Sequence, residues 1–299
     1  MNLPEKVTLV EVGPRDGLQN QPHILTPAER ITFIKLLGDA GLSQIEVGSF
    51  VSPSRIPQLA DTDQVFKGLS DNTGISYHAL VPNIKGLEDA IDVGVRNIAV
   101  FTAASDGFTR KNINCSVEES LDRIATLMPV AEQHNLRVRG YVSCTLGCPY
   151  EGQVNPEFVA TISKALMDMG CHELSLGDTI GVGTPECARQ LIRTVGKQVP
   201  LSALAAHFHD TYGQALANLY AVLQEGITVI DSATAGLGGC PYARGASGNV
   251  ATEDVLYMLN GLDIETGVNI NALLRAGHYV CNHLGQSSHS RVAAAMQSV

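Results

Sequence analysis

The order of apolar runs along this chain predicts a (β/α)8 TIM barrel with a C-terminal helical extension. Three observations predict it. Short β-branched runs alternate with amphipathic helical patterns from one end to the other. Helix-starting and helix-stopping residues punctuate those patterns. No glycine-rich turn follows the first strand-like run, which argues against a doubly wound open sheet, the runner-up.

The expected strands are Val7–Val12, Gln44–Gly48, Ile75–Val81, Asn97–Phe101, Arg137–Ser143, Glu173–Leu176, Ser202–Phe208 and Thr228–Ala235. Helices are expected between them at about Pro27–Ala40, Gln58–Leu69, Lys85–Val93, Val117–His134, Pro156–Met169, Pro185–Val195 and Gln214–Gln224, with a last one from about Thr252. Thr26 before Pro27 with Glu29, Ser116 with Glu119, and Thr184 before Pro185 and Glu186 are start signals. Gly41, Gly94, Gly170 and Gly226 stand where helices should stop. The barrel should occupy about residues 5–262. The remainder, 263–299, carries helical patterns at Asn271–Leu284 and His289–Met296 and should pack on it. No linker marks a second domain, so 1–299 reads as one catalytic unit.

Composition narrows the function classes. A net charge of −10 with no run of Lys or Arg speaks against nucleic-acid binding. No apolar run reaches membrane-spanning length, and the first strand begins too early for a signal peptide. The 7 Cys are scattered, none in a Cys-x-x-Cys pair, which reads as reduced thiols in a cytoplasmic setting.

In such a barrel the chemistry lies at the C-terminal ends of the strands. Strand seven ends His207-Phe208-His209. Side chains alternate along a strand, so the two imidazoles point the same way. Two buried imidazoles at a strand end are costly to leave unpaired, and a shared metal accounts for both. Strand one runs into Arg15-Asp16-Gly17, either an ordinary Asp-Gly turn or a functional pair. A carboxylate from Asp16 with the two imidazoles suits a divalent ion with open positions, Mg²⁺ or Mn²⁺ rather than structural zinc.

Glu46, mid-strand on the inner face, needs a cation, and Arg15 at the neighbouring strand end is the natural partner. A structural ion pair and a chemical role both stay open for it. Asp178, at the end of strand six, reads as the cap of a turn or as a group orienting the metal ligands from behind. The glycine-rich stretch after strand eight carries one thiol, Cys240. It is either incidental or, if the loop folds over the barrel, an acid delivered to the chemistry.

Taken together these motifs resemble the 3-hydroxy-3-methylglutaryl-CoA lyases over nearly the whole chain. The matching stretches are VGPRDGLQN (12–20), IEVGSFVSP (45–53), KNINCS (111–116), RGYVSCTLGCPYEG (139–152), SLGDTIGVGTP (175–185), HDTYGQALAN (209–218) and GLGGCPYARGASGNVATED (236–254). The Arg-Asp pair and His-x-His belong to a wider barrel superfamily, whereas GGCPYA is more specific to the lyases.

The resemblance implies metal ligation by Asp16, His207, His209 and Asn249. It implies enolate stabilisation by Arg15, a loop acid at Cys240, and supporting carboxylates at Glu46 and Asp178. It further implies a divalent metal, an acyl-CoA thioester substrate cleaved to acetyl-CoA and acetoacetate, with His207 taking the hydroxyl proton, and a homo-oligomer of two or more chains.

This chain departs from the family pattern at Pro22, where a Lys commonly contacts the CoA phosphates. It also departs at Gly285–Ser287, where Asn and basic residues are usual, and at Arg55-Ile56. The rival readings are a lyase for a longer-branched 3-hydroxyglutaryl-CoA and an isopropylmalate- or homocitrate-synthase-like condensing enzyme. The synthases lack GGCPYA and usually carry a further domain. A non-catalytic metal-binding barrel would show damage at a catalytic position, and none is seen.

Overall fold

The computed structural model describes residues 3–69, 74–239 and 248–296. Its strands are β1 (Thr8–Glu11), β2 (Gln44–Ser49), β3 (Ser76–Leu80), β4 (Asn97–Ala103), β5 (Arg137–Ser143), β6 (Glu173–Asp178), β7 (Leu204–Phe208) and β8 (Val229–Ser232). All neighbours pair in parallel, and the sheet closes where β8 meets β1 with Thr8 opposite Val229 and Glu11 opposite Ser232. The expected barrel is therefore the observed one.

The helices are α1 (Pro27–Asp39), α2 (Thr62–Gly68), α3 (Ile84–Asp92), α4 (Asp106–Ile113), α5 (Val117–Gln133), α6 (Pro156–Asp168), α7 (Pro185–Val195), α8 (Ala215–Leu223), α9 (Thr252–Gly261), α10 (Ile270–Leu284) and α11 (Arg291–Met296). Thr26 and Ser116 each form both bonds of a capping box. Thr184 starts α7 without a side-chain cap bond. Gly41, Gly94, Gly170 and Gly226 all adopt the left-handed backbone of a helix stop. The extension packs as expected, α10 against α1 and α9, and α11 against α9.

The outward faces of the strands and the inward faces of the helices share one apolar core that includes Phe33, Ile34, Leu37, Ile45, Val47, Leu166, Leu174, Leu191 and Leu219. The barrel lumen is different. Arg139 on β5 bonds Asp231 on β8, and Tyr141 on β5 bonds Glu46 on β2. These strands are not neighbours, so the contacts cross the lumen. A polar interior of this kind is costly unless every group is paired, which ties its residues to function more than to stability.

Several boundaries differ from expectation. The second helix begins at Thr62 rather than Gln58, because Pro57–Leu59 forms a separate 3₁₀ turn. Strand seven begins at Leu204, with Leu201–Ala203 again a 3₁₀ turn. Strand eight ends at Ser232, and Thr234–Gly236 turns sharply with Ala235 at φ 61°. Helix α4 was not anticipated. Ser105 caps it through a bond from Phe108 N, but Gly107 and its few buried positions hide the helical period.

Candidate active site

A single π-helical turn, Gly13–Gly17, follows β1 and presents Arg15 and Asp16 to the lumen mouth. Such turns are rare and concentrate at functional sites. Here it is braced against Leu237, whose Cβ would lie 2.8 Å from a Cβ at Gly17. β7 delivers His207. His209 follows one residue past the strand, held by a bridge to Asn249. One ligand atom from each of Asp16, His207 and His209 lies within 4.8 Å of the others. The spacing read from the sequence thus brings these three residues to one point.

Their protonation suits a cation. Burial would raise the Asp16 carboxyl, but Arg15, His207 and His209 outweigh it and hold it at about 2. Burial and the neighbouring His207 lower His209 to about 4, so its imidazole is neutral at pH 7 with a lone pair to give. His209 Nδ1 is buried with no hydrogen-bond partner among the described residues. A ligand set with an anionic carboxylate, two imidazoles and one unsatisfied ring nitrogen fits a divalent ion.

Asn249 reaches Asp16 Oδ2 through Nδ2 at 2.7 Å, and Leu237 O at 3.2 Å. Its amide nitrogen, not its oxygen, thus faces Asp16, and ligation by Asn249 would need the carboxamide turned over. Gln19 Nε2 also donates to Asp16, at 2.6 Å to Oδ1. That contact was not expected.

Arg15 is locked from two sides. Its Nε donates to Glu46 Oε2 at 2.6 Å and its Nη1 to Asp16 Oδ1 at 2.6 Å. Burial works against its charge, but Glu46 and Asp16 more than compensate, so the guanidinium stays cationic throughout the working pH range. Glu46 is buried, and Tyr141 Oη donates to its Oε2 at 3.2 Å, leaving Oε1 without a partner among the described residues. The Arg15–Glu46 pair expected from adjacent strand ends is present.

Asp178 spends both oxygens on backbone donors, Val182 N at 3.1 Å and Gly183 N at 2.8 Å. Of its two readings, these contacts support the turn cap. Burial raises its carboxyl to about 6 against those bonds. Cys240 lies outside the described residues.

Asp231 was missed. It is fully buried, accepts two bonds from Arg139 at 2.7 and 2.9 Å, one from Ser175 Oγ at 2.7 Å, and faces His207 Nδ1 at 3.1 Å. Burial would raise its carboxyl, but Arg139 and His207 hold it well below the usual carboxylate range. It therefore fixes the proton of His207 on Nδ1 and leaves Nε2 bare. An acid within an apolar strand, Val229-Ile230-Asp231, was the available signal.

A family model described as HMGL-like matches residues 6–280. The chain belongs to the HMG-CoA lyase family. It is 57% identical to the 3-hydroxy-3-isohexenylglutaryl-CoA/hydroxy-methylglutaryl-CoA lyase of Pseudomonas aeruginosa, over 99% of each chain. It is 54% identical to the mitochondrial hydroxymethylglutaryl-CoA lyase of Homo sapiens, over 98% of this chain and 90% of that one. The crystal structure of hydroxymethylglutaryl-CoA lyase from Pseudomonas aeruginosa superposes with a TM-score of 0.98 at 57% identity, covering 100% of this chain and 99% of that one. Membership of this family makes the chain a carbon–carbon lyase.

Proposed function

We propose that this protein cleaves 3-hydroxy-3-methylglutaryl-CoA to acetyl-CoA and acetoacetate with the help of Mg²⁺ or Mn²⁺. The observation that carries the reading is the convergence of Asp16, His207 and His209 beside a locked Arg15. Asp16, His207, His209 and the turned-over Asn249 would hold the ion. A divalent cation held there would supply Lewis-acid chemistry, lowering the pKa of the substrate's tertiary hydroxyl.

The chain's own residues do the rest. His207, with Nδ1 tied to Asp231, has only Nε2 to offer, either to the ion or to the hydroxyl proton. As the C2–C3 bond breaks, its electron pair passes to C2 and on to the thioester oxygen. Arg15 offsets that charge from a position already fixed by Glu46. Cys240 then protonates C2. Its unperturbed thiol pKa of about 8.5 makes it a serviceable acid near neutral pH.

A second reading keeps the chemistry and lengthens the substrate branch. It is favoured by the Pseudomonas aeruginosa relative, whose name includes the isohexenylglutaryl thioester. Among the described residues no helix is long and apolar enough to cross a membrane. Free thiols at Cys115, Cys144, Cys148 and Cys171 support a cytoplasmic setting. Exposed Tyr257 and Met296, on the adjoining helices α9 and α11, support self-association, which sedimentation reads directly.

The deciding experiment follows acetyl-CoA, the product common to both thioesters, in purified protein before chelation, after it, and after re-addition of Mg²⁺ or Mn²⁺. Activity should vanish and return. Full turnover in metal-free protein overturns the metal reading, and failure of both thioesters to give acetyl-CoA overturns the lyase reading.

A further inference from the structure

We infer that Glu11 is a positioning residue that sets the distance between the Arg15–Asp16 turn and both feet of the loop bearing Asn249, and thereby completes the metal site. The inference rests on the metal reading given above. Glu11 is the last residue of β1 and fully buried, on the strand face away from the lumen side chains. Nothing in its position calls for a carboxylate to fill apolar space, and burying one is expensive unless its oxygens are satisfied.

Four donors satisfy them. Oε1 accepts from Gly13 N at 2.8 Å and from Thr234 N at 2.8 Å. Oε2 accepts from Thr234 Oγ1 at 2.7 Å and Thr252 Oγ1 at 2.8 Å. Each donor belongs to a segment that carries site residues. Gly13 opens the π-helical turn that holds Arg15 and Asp16, and a Cβ there would meet Glu11 Oε1 at 2.5 Å. Thr234 stands where the chain leaves β8 for the glycine-rich loop, and Thr252 stands where it returns into α9, three residues after Asn249. The two feet are also paired to each other, Ala233 N to Val250 O at 3.0 Å and Thr252 N to Ala233 O at 3.1 Å.

One carboxylate therefore ties three backbone segments together at their roots. The same segments meet again at their tips, where Asn249 bonds Asp16. A hydrogen bond tolerates only a few tenths of an ångström, so root spacing fixed by Glu11 passes to the tips through short, braced segments. Metal ligands need such support, because a ligand displaced by about 1 Å no longer closes the coordination shell.

All four contacts are neutral donors, and this makes the proposal specific. In Glu11→Gln the amide oxygen can take the place of Oε1. The NH2 group can take the place of Oε2 and donate to the two threonine hydroxyls, which turn to accept. In Glu11→Asp the carboxylate is one methylene short and cannot span all three segments. In Thr252→Val one foot of the loop is released while the rest stays bound.

The test is calorimetric titration of Mn²⁺ into the wild type and these variants, with circular dichroism and thermal melts in parallel. A residue that served the fold alone would lower Tm and leave Mn²⁺ affinity of the folded protein unchanged. Glu11→Asp is expected to weaken Mn²⁺ roughly 10- to 100-fold. Thr252→Val should weaken it less, and Glu11→Gln should stay near wild type. Wild-type affinity in folded Glu11→Asp and Thr252→Val overturns the assignment of Glu11 alone. A loss in Glu11→Gln as large as in Glu11→Asp overturns the hydrogen-bond account. Absence of Mn²⁺ binding by the wild type overturns the metal reading itself, and this inference with it.

Discussion

Asp231 on β8 stands 3.1 Å from Nδ1 of His207 on β7, and its other contacts, Arg139 and Ser175, all donate to it. The carboxylate is thereby committed as an acceptor, and His207 is committed to the tautomer with Nε2 bare. Asp231→Asn would keep an oxygen toward Nδ1, where Arg139 and Ser175 also donate, but would lose the charge and set its NH2 group against Arg139 Nη2. We expect kcat to fall roughly 10- to 100-fold. Tm should fall as well, since Arg139 loses its buried counter-charge and keeps only Glu173, at 2.6 Å. Unchanged kcat in a folded Asp231→Asn variant would show that the charge behind His207 does not matter to turnover.

Arg15 is held by Glu46 and Asp16 before any substrate arrives, so its charge is in place for the transition state. Arg15→Gln should lower kcat roughly 10²- to 10³-fold with a modest change in KM. It should also destabilise the fold by about 3–5 kcal/mol, because Glu46 is left buried without a cation. A large rise in KM at unchanged kcat would make Arg15 a substrate anchor instead.

Cys240 is tested through chemistry. Cys240→Ser replaces a thiol by a far weaker acid of similar size. Turnover should drop roughly 10²- to 10⁴-fold while Mn²⁺ affinity stays at the wild-type value. Alkylation should inactivate, with substrate protecting. Near-normal turnover in the serine variant would assign the proton to another donor.

Glu253 gives a pH prediction. Burial raises its carboxyl from 4.5 to about 8, and its bonds from Ala235 N, both at 2.9 Å, do not offset this. The nearby Glu11 adds to the rise. A carboxyl raised in the folded chain binds its proton more tightly there than in the unfolded chain. Its contribution to stability is complete below pH 4.5 and is lost as pH rises through 8. Wild-type Tm should decline over that window, by roughly 2–4 °C for each kcal/mol lost. Glu253→Gln should flatten the decline. An equal slope in both proteins would place the titration elsewhere.

The parts of this site that were legible in the sequence share a local cause. His207 and His209 are two apart near a strand end, so alternation alone puts them together. Arg15 follows β1 and Glu46 lies on the adjacent β2, so the barrel topology pairs them. Asp231 and Arg139 are 92 residues apart and meet across the lumen, where no local pattern reports a partner. The sharp turn at Ala235 is likewise set by tertiary bonds, from its N–H to the Glu253 carboxylate and from His289 N to its carbonyl, both at 2.9 Å, rather than by a turn residue. Asp178 shows the converse. Its sequence context allowed a cap or a metal-site role, and the two backbone bonds at Val182 and Gly183 were not visible before the loop was folded.

The departures at Pro22 and Gly285 converge on one corner of the molecule. His23 and His283, beside them in sequence, both act electrostatically on Glu29 in the first turn of α1. Pro22 is exposed and offers no cation. Gly285 closes α10 in the left-handed conformation at φ 66°, a position where a side chain would be strained, so its lack of a polar group has a backbone reason. A Lys–phosphate contact in a partly exposed groove contributes on the order of 1 kcal/mol, about a factor of 5 to 10 in affinity. This chain should therefore depend less on the charged nucleotide end of CoA than a lyase with Lys in the place of Pro22. The measurement is kcat/KM for the CoA thioester against its 3′-dephospho form. We expect a loss below about tenfold. A larger loss would show that a phosphate clamp exists in this corner or across the mouth from it, built from cations other than the missing lysine.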